Sequence, residues 1–301
     1  MARILRLSAP RSIPPCPECV STKSKEQRNR EPASPTNRPL QRLHADIIPL
    51  PGSLHGNKYA LVLMDDYSCY AWVRYIKSKD GPTMAHELND FFTYLRHQFP
   101  HFTISEFKSD RGTGEFCSSA VSLILHAHGI LAMPSPAYNQ SVNGRIERLI
   151  QTLKGTTRTQ LLQAGMFNDL RLYAEAFNTA VSLYNIFPSA AMQHVSPFED
   201  LHGRPWDRGY AHLKPFGCLC HVHVPDAKRM QQAVGPGKRL PASVAPRSRP
   251  GLFIGYFHHS THVWKIIDLH TLRTGIYRDV IFDEECFPTL PSMPIRLSEL
   301  K

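Results

Sequence analysis

Lys108-Ser-Asp-Arg-Gly-Thr-Gly-Glu-Phe116 opens, and Asn143-Gly-Arg-Ile-Glu-Arg-Leu-Ile-Gln-Thr-Leu-Lys154 closes, the stretch on which the reading of the fold turns. The first segment continues a β-type run, Phe102 to Asp110, and its end is marked by Gly112 and Gly114. The second is helical in period, with Ile146, Leu149, Ile150 and Leu153 at i, i+3, i+4 and i+7 forming an apolar stripe. At about 100° per residue, Glu147, Gln151, Lys154 and Arg158 fall on one neighbouring stripe. Asn143 suits the N-cap, which puts Glu147 in the first turn, where the helix dipole favours an ionised carboxylate. A solvated helix face would carry much the same pattern, so two aspartates elsewhere decide between the readings.

Upstream, Leu43 to Leu50, Lys58 to Asp66 and Cys69 to Ile76 read as three closely spaced strands of an antiparallel meander. Helices are expected over Pro82 to Phe99 and Phe116 to His128, a fifth strand over Ile130 to Pro134, and a loop from Ser135 to Gly144. A packing helix follows from Leu170 to about Tyr184, then a loop punctuated by Pro188, Pro197, Gly203 and Pro205. This order gives an α/β fold with a mixed five-stranded sheet and flanking helices, in which the first and fourth strands lie side by side. Asp46 on the first and Asp110 at the end of the fourth would then face each other closely enough to share a metal ion. From about 211 to 288 the runs CLCHVHV, GLFIGYF, VWKIIDL and YRDVIF, with no helix between them, indicate a small all-β barrel.

Composition narrows the function classes. Thirty-five Lys and Arg against 25 Asp and Glu leave a net charge of +10, which favours a polyanionic partner. Seven cysteines spread over 301 residues are odd in number and do not form a secreted disulfide framework, so a reducing compartment is expected. No apolar run has the length of a membrane span, and no membrane partner is expected. The start, MARILRLSAPRS, has too many Arg for a secretory signal; it is Arg- and Ser-rich and acid-poor as a transit peptide is, but short. Residues 1 to 43 hold 9 Lys and Arg and 3 Asp and Glu among many Pro, Ser and Asn, the composition of an arm. Within it, Cys16-Pro-Glu-Cys19 has the C-x2-C spacing that lets two thiolates reach one Zn²⁺, half of a tetrahedral site. Two free cysteines in an arm fit the spacing equally well.

Three carboxylates from two strands and a helix suit two-metal phosphoryl transfer, because hard ions such as Mg²⁺ take a few carboxylate oxygens and leave the other positions to water and phosphate. Lys154 and Arg158 lie further along the helix, where they can hold phosphates. Among other acids, Asp65 and Asp66 end a strand and read as a turn, while Glu106 and Glu115 flank Asp110 without convergent geometry. Cys218, Cys220 and His221 read as alternating strand residues rather than a zinc site, and His44 either touches the site or packs beside it.

LHADIIPLPG, LVLMDDYSCYAWV, KSDRGTGEF, YNQSVNGRIERLIQTLK and YAEAFNTAVSLYN together resemble the integrase core of copia-type LTR retrotransposon polyproteins, over about Leu43 to Asp207. The resemblance implies an RNase H-like fold and a D,D,E triad, which falls on Asp46, Asp110 and Glu147 as ligands of Mg²⁺ or Mn²⁺. It also implies an SH3-like C-terminal module and makes Cys16 and Cys19 the second half of a His-His-Cys-Cys zinc site. The expected domains are a basic arm (1–42), the integrase core (43–207), the SH3-like domain (208–290) and a tail (291–301). Two departures stand out: 36 residues separate Asp110 from Glu147, one more than is usual for the family, and Ile186 stands where the family commonly has Arg. The function expected is 3′-end processing of element DNA and strand transfer into target DNA. Asn143, Gln151, Lys154 and Arg158 would position the DNA backbone, in a homo-oligomer acting in the nucleus after a cytoplasmic phase. The chain is expected to be a fragment of a longer polyprotein. The competing readings are a catalytically inactive nucleic-acid-binding fragment of a decayed element and a general RNase H-like nuclease.

Overall fold

A computed structural model describes residues 35–109, 115–134, 144–188, 195–207, 209–225, 233–235, 238–239, 246–257 and 263–290. Asp110, Asn143, Cys16 and Cys19, and with them the arm before residue 35, lie outside the described residues.

Strands β1 (Arg42–Pro49), β2 (Tyr59–Asp65) and β3 (Ala71–Ile76) form the expected antiparallel meander. Helix α1 (Gly81–Gln98) starts at Asp80, whose carboxylate accepts the Thr83 N–H at 2.9 Å, with Pro82 in the first turn where a missing N–H costs nothing. After it β4 (Glu106–Ser109) runs parallel to β1, α2 (Ser119–Ala127) crosses back, and β5 (Leu131–Pro134) runs parallel to β4. The sheet order is β3-β2-β1-β4-β5, the mixed five-stranded arrangement expected of an RNase H-like core.

Alternation along the strands assigns every side chain to one of two faces. Leu43, Ala45, Leu61, Leu63 and Phe107 meet Leu88, Phe91, Phe92 and Leu95 of α1 and Val121 and Leu125 of α2 in one core. Ile48, Ala60, Val62 and Met64 meet the helices on the other face, α3 (Gly144–Gln163) and α4 (Tyr173–Ile186), through Ile146, Leu149, Ile150, Leu153, Phe177 and Val181. The four α3 residues are those of the sequence stripe, and each contributes roughly 1.5–3 kcal/mol on leaving water.

Element ends differ from the sequence reading where local chemistry intervened. The fourth strand starts at Glu106 rather than Phe102, because its partner β1 begins at Arg42 and the paired register therefore opens at Arg42 with Glu106. The helix expected from Phe116 is a 3-10 turn (Glu115–Cys117) followed by α2, since the Ser118 hydroxyl accepts the Val121 N–H and caps the helix there. Likewise Asp169 caps a 3-10 turn at Leu170–Leu172, and α4 proper starts at Tyr173. The loop expected between Pro188 and Pro205 contains a short helix, α5 (Pro197–His202), with Ser196 accepting the Glu199 N–H and Gly203 closing it at φ 64°.

The C-terminal strands β6 (Leu219–His223), β9 (Ser248–Tyr256), β10 (Trp264–Asp268), β11 (Thr274–Tyr277) and β12 (Val280–Asp283) form an antiparallel sheet in the order β11-β10-β9-β6-β12; a two-stranded ribbon, β7 (Ala233–Gly235) and β8 (Lys238–Arg239), stands apart. The run YRDVIF, expected as one strand, is split between β11 and β12 at opposite edges. Three Cα steps from Tyr277 to Val280 span at most about 11 Å, whereas the edges of a flat five-stranded sheet stand about 19 Å apart. The sheet is therefore curled on itself, consistent with a small SH3-like domain. Cys220 alternates inward with Val222, as expected of strand residues.

The two sheets share an apolar seam. Leu161, Ala164, Met166, Leu172 and Ala176 cluster with Phe216, Leu252, Ile254 and Ile267, and Lys265 Nζ pairs with the buried Glu175 at 2.8 Å. No helix among the described residues is long and apolar enough to cross a membrane.

Candidate active site

The alternation that puts Leu43 and Ala45 under α1 turns His44, Asp46 and Ile48 to the α3 face of the sheet. Asp46 is half-buried near the middle of β1, and its Oδ1 accepts the Ile47 N–H at 2.8 Å. The β1–β4 ladder ends at the pair Ala45 and Ser109, the residues immediately before Asp46 and Asp110 in the chain. Glu147 lies exposed in the first turn of α3, directly after the fully buried Ile146. Further along the same helix Gln151 and Arg158 are exposed and Lys154 half-buried, while Leu149, Ile150 and Leu153 take the buried side. Among the described residues, which leave out Asp110, no three His, Cys, Asp or Glu side chains converge on one ion position.

Towards the start of β1, on the face that carries Asp46, an ionic cluster forms around the buried Asp66, with Arg145 half-exposed at its rim. Asp66 is 5% exposed; its Oδ1 meets His44 Nε2 at 2.8 Å and Arg145 Nη1 at 2.5 Å, and its Oδ2 meets Arg42 Nη1 at 3.5 Å and the Thr36 hydroxyl at 3.2 Å. Burial pushes this carboxyl up, but the His44 hydrogen bond and the charges of Arg145, His44 and Arg42 outweigh it and hold the pKa at about 2. Arg42 Nε also pairs with Glu106 at 2.6 Å. Lys108, opposite His44 in the β1–β4 register, has its amine pKa lowered by burial and by the neighbouring Arg42.

The other acids have structural partners. Asp65 forms the expected turn, accepting the Leu40 N–H, the Ser68 N–H and the Ser68 hydroxyl at 2.9, 2.9 and 2.6 Å; burial raises its pKa in spite of these bonds. Asp66 lies in the same turn, as expected, and is also the hub of the ionic cluster, with Arg42, Arg145 and the His44 ring converging on it. Glu115 is buried against Lys79. His44, open in sequence between site and packing, is 2% exposed and bonded to Asp66.

Nothing in the sequence pattern alone sets Arg145 apart from the other basic residues of the helix. Its one local signal is position: a cation in the first turn of a helix opposes the dipole and calls for a compensating acid, which Asp66 supplies. A cavity of about 470 Å³ lies along the β3 edge, lined among others by Tyr70, Trp72, Phe91, Tyr94, Phe198 and Trp206, and contains none of the candidate residues.

With this geometry in view, comparison with known proteins identifies the class. Residues 36–140 match the integrase core domain and residues 218–295 the retroviral polymerase SH3-like domain. The first match takes in Asp46 and Asp110 and ends before Glu147. The chain thus carries an integrase core, of a family of polynucleotidyl transferases, followed by an SH3-like module, and its homologues are Pol polyproteins of copia-type transposons. It is 30% identical over 274 residues to the retrovirus-related Pol polyprotein from transposon RE1 of Arabidopsis thaliana, covering 91% of this chain and 17% of that polyprotein. Against the Pol polyprotein from transposon TNT 1-94 of Nicotiana tabacum it is 28% identical over 246 residues, 80% of this chain and 17% of the relative. It therefore spans about a sixth of the length of these curated relatives.

Proposed function

We propose that this chain is the polynucleotidyl transferase segment of a retrotransposon integrase, carrying out 3′-end processing and strand transfer with Asp46, Asp110 and Glu147 as its catalytic carboxylates. The observation that carries the reading is the address of Asp46, half-buried on the central strand, on the face covered by α3 and next to the strand that leads into Asp110. Asp110 follows Ser109 by one Cα step of about 3.8 Å, so a neighbour of Asp46 on β4 is its covalent predecessor.

The donor set fits hard divalent ions, since it consists of carboxylate oxygens, one half-buried and one open to solvent. Asp46, Asp110 and Glu147 would hold Mg²⁺ or Mn²⁺, which when bound supply an activated hydroxyl and stabilise the departing oxygen. The chain's own contribution is placement. Lys154 and Arg158, about two and three turns further along the flank of Glu147, meet the DNA backbone with Gln151 and Asn143 and align the scissile phosphate over the carboxylates. Cys16 and Cys19 would supply two of the four ligands of a zinc site. The arm, core and SH3-like module would act as separate domains of a nuclear homo-oligomer on element-end and target DNA.

The test is a strand-transfer assay on element-end duplexes with Mg²⁺ or Mn²⁺. Wild type should give joined product and Glu147→Gln none. Equal yields from both would refute the assignment, hydrolysed ends without joining would favour a general nuclease, and salt-dependent binding without cleavage a non-catalytic DNA-binding fragment.

A further inference from the structure

Glu147 sits at the least secure part of its helix. The first turn lacks i→i−4 partners for its N–H groups and frays unless side chains tie it down. Ile146, fully buried, anchors it from below. Arg145 anchors it from one side, through Nη1 to Asp66 Oδ1 at 2.5 Å and Nη2 to Cys69 Sγ at 3.2 Å, both in the turn that follows β2. Asp66 cannot yield, because His44 on β1 and Arg42 hold it in turn. At about 100° per residue, Arg145 and Glu147 leave the helix on opposite flanks of Ile146.

We propose that Arg145, locked by Asp66, is a positioning residue that fixes the roll of α3 and with it the direction of the Glu147 carboxylate; this rests on the integrase reading of Glu147. A roll of about 10° moves a group at the helix's outer radius of about 5–6 Å by about 1 Å, and a displacement of that size can cost about a hundredfold in rate. The action is mechanical. Residues at i and i+2 do not face each other, so Arg145 does not neutralise Glu147. Asp66 also engages the guanidinium charge, which a cation-binding site must keep at a distance. The other charged or titratable groups around the pair are Lys108 and Glu106 on β4 and Arg42 and His44 on β1.

The test is a double-mutant cycle on the full chain with Arg145→Ala, Asp66→Asn and the double variant, and Arg145→Lys as the conservative control. Each single variant should lower the rate of joining at saturating DNA at least about tenfold, leave the KM for DNA within about twofold, and the double should be no worse than either. Arg145→Lys should recover part of the loss. If instead Arg145→Ala raises the KM for DNA and Asp66→Asn does not, Arg145 is a phosphate contact and the proposal is overturned. Hydrogen exchange at the Arg148, Leu149 and Ile150 amides reads the same device without activity. Both singles should speed it at least about tenfold, with no further gain in the double and the rest of α3 unchanged. Unchanged exchange overturns the clamp; wild type that never joins DNA, with the exchange as expected, overturns only the role of Glu147.

Discussion

Asn185 offers the sharpest test of how the frame around the site is held. Strand β3 is an edge strand, and its outward N–H and C=O groups have no neighbouring strand to meet. At Ala71, 1% exposed, the side chain of Asn185 on α4 stands in for one: Oδ1 accepts the Ala71 N–H at 2.8 Å and Nδ2 donates to the Ala71 carbonyl at 2.8 Å. Asn185→Ala leaves two buried backbone groups unsatisfied, at about 1–3 kcal/mol each. A net loss of about 3 kcal/mol corresponds to a fall of about 6–12 °C in Tm for a unit of this size. Asn185→Asp separates the two bonds. An ionised carboxylate still accepts the N–H but repels the carbonyl, whereas the protonated form donates to it. The folded pKa of the introduced carboxyl would lie above its unfolded value of about 3.9. Its protonated form therefore supports the fold below that value, and the support is lost as pH rises through the folded pKa. Thermal unfolding by circular dichroism at pH 4 and pH 7.5 should show Asn185→Asp much closer to wild type at the lower pH, while the Asn185→Ala deficit stays constant. An Asn185→Ala Tm within about 1 °C of wild type, or an Asn185→Asp deficit equal at both pH values, would refute the edge-strand role.

Asp66 gives a second pH signature. Its folded pKa of about 2 lies below the ordinary value of 3.8, so its contribution of about 2 kcal/mol is present above about pH 4 and lost as pH falls towards 2. The raised pKa of Asp65 acts in the opposite direction, so the comparison must be between wild type and Asp66→Asn; a stability gap that does not shrink between pH 6 and pH 2.5 would contradict the ionic cluster. At the seam between the sheets, Gly217 has φ 80° and an added Cβ would lie 2.5 Å from the Ala164 Cβ. Gly217→Ala should cost about 2–4 kcal/mol in urea unfolding through backbone strain and overlap together, and a cost below about 0.5 kcal/mol would show that the seam yields freely.

Much of the fold was legible because burial leaves a periodic trace. The apolar stripe of α3 and the short β runs of the meander fixed which residues turn inward, and Leu43, Ala45, Ile146 and Leu153 are buried as that pattern requires. Element ends were not legible, since they depend on single capping bonds such as that of Ser118 and on where a partner strand begins. The α5 helix is hard to see in sequence although Ser196-Pro197-Phe198-Glu199 carries the signature of a helix start, because the same stretch holds Pro and Gly, which also break helices. The split of YRDVIF was beyond local pattern, for it depends on which distant strands meet each half.

The ionic cluster shows why a site is harder to read than a core. Burial of an apolar side chain is a property of its own spacing, whereas Asp66 acquires its role from Arg42 on β1, His44 two residues further and Arg145 on a helix that begins 78 residues later. An exposed strand-end aspartate and a buried ionic hub are the same residue in sequence. What distinguishes them is the register of Leu43 with Asp65, which brings the turn after β2 beside the start of β1, and the packing of Ile146, which brings α3 down onto both. Sequence could therefore identify the α3 carboxylate that faces solvent, but the means of holding its helix in place came only from the way that helix docks.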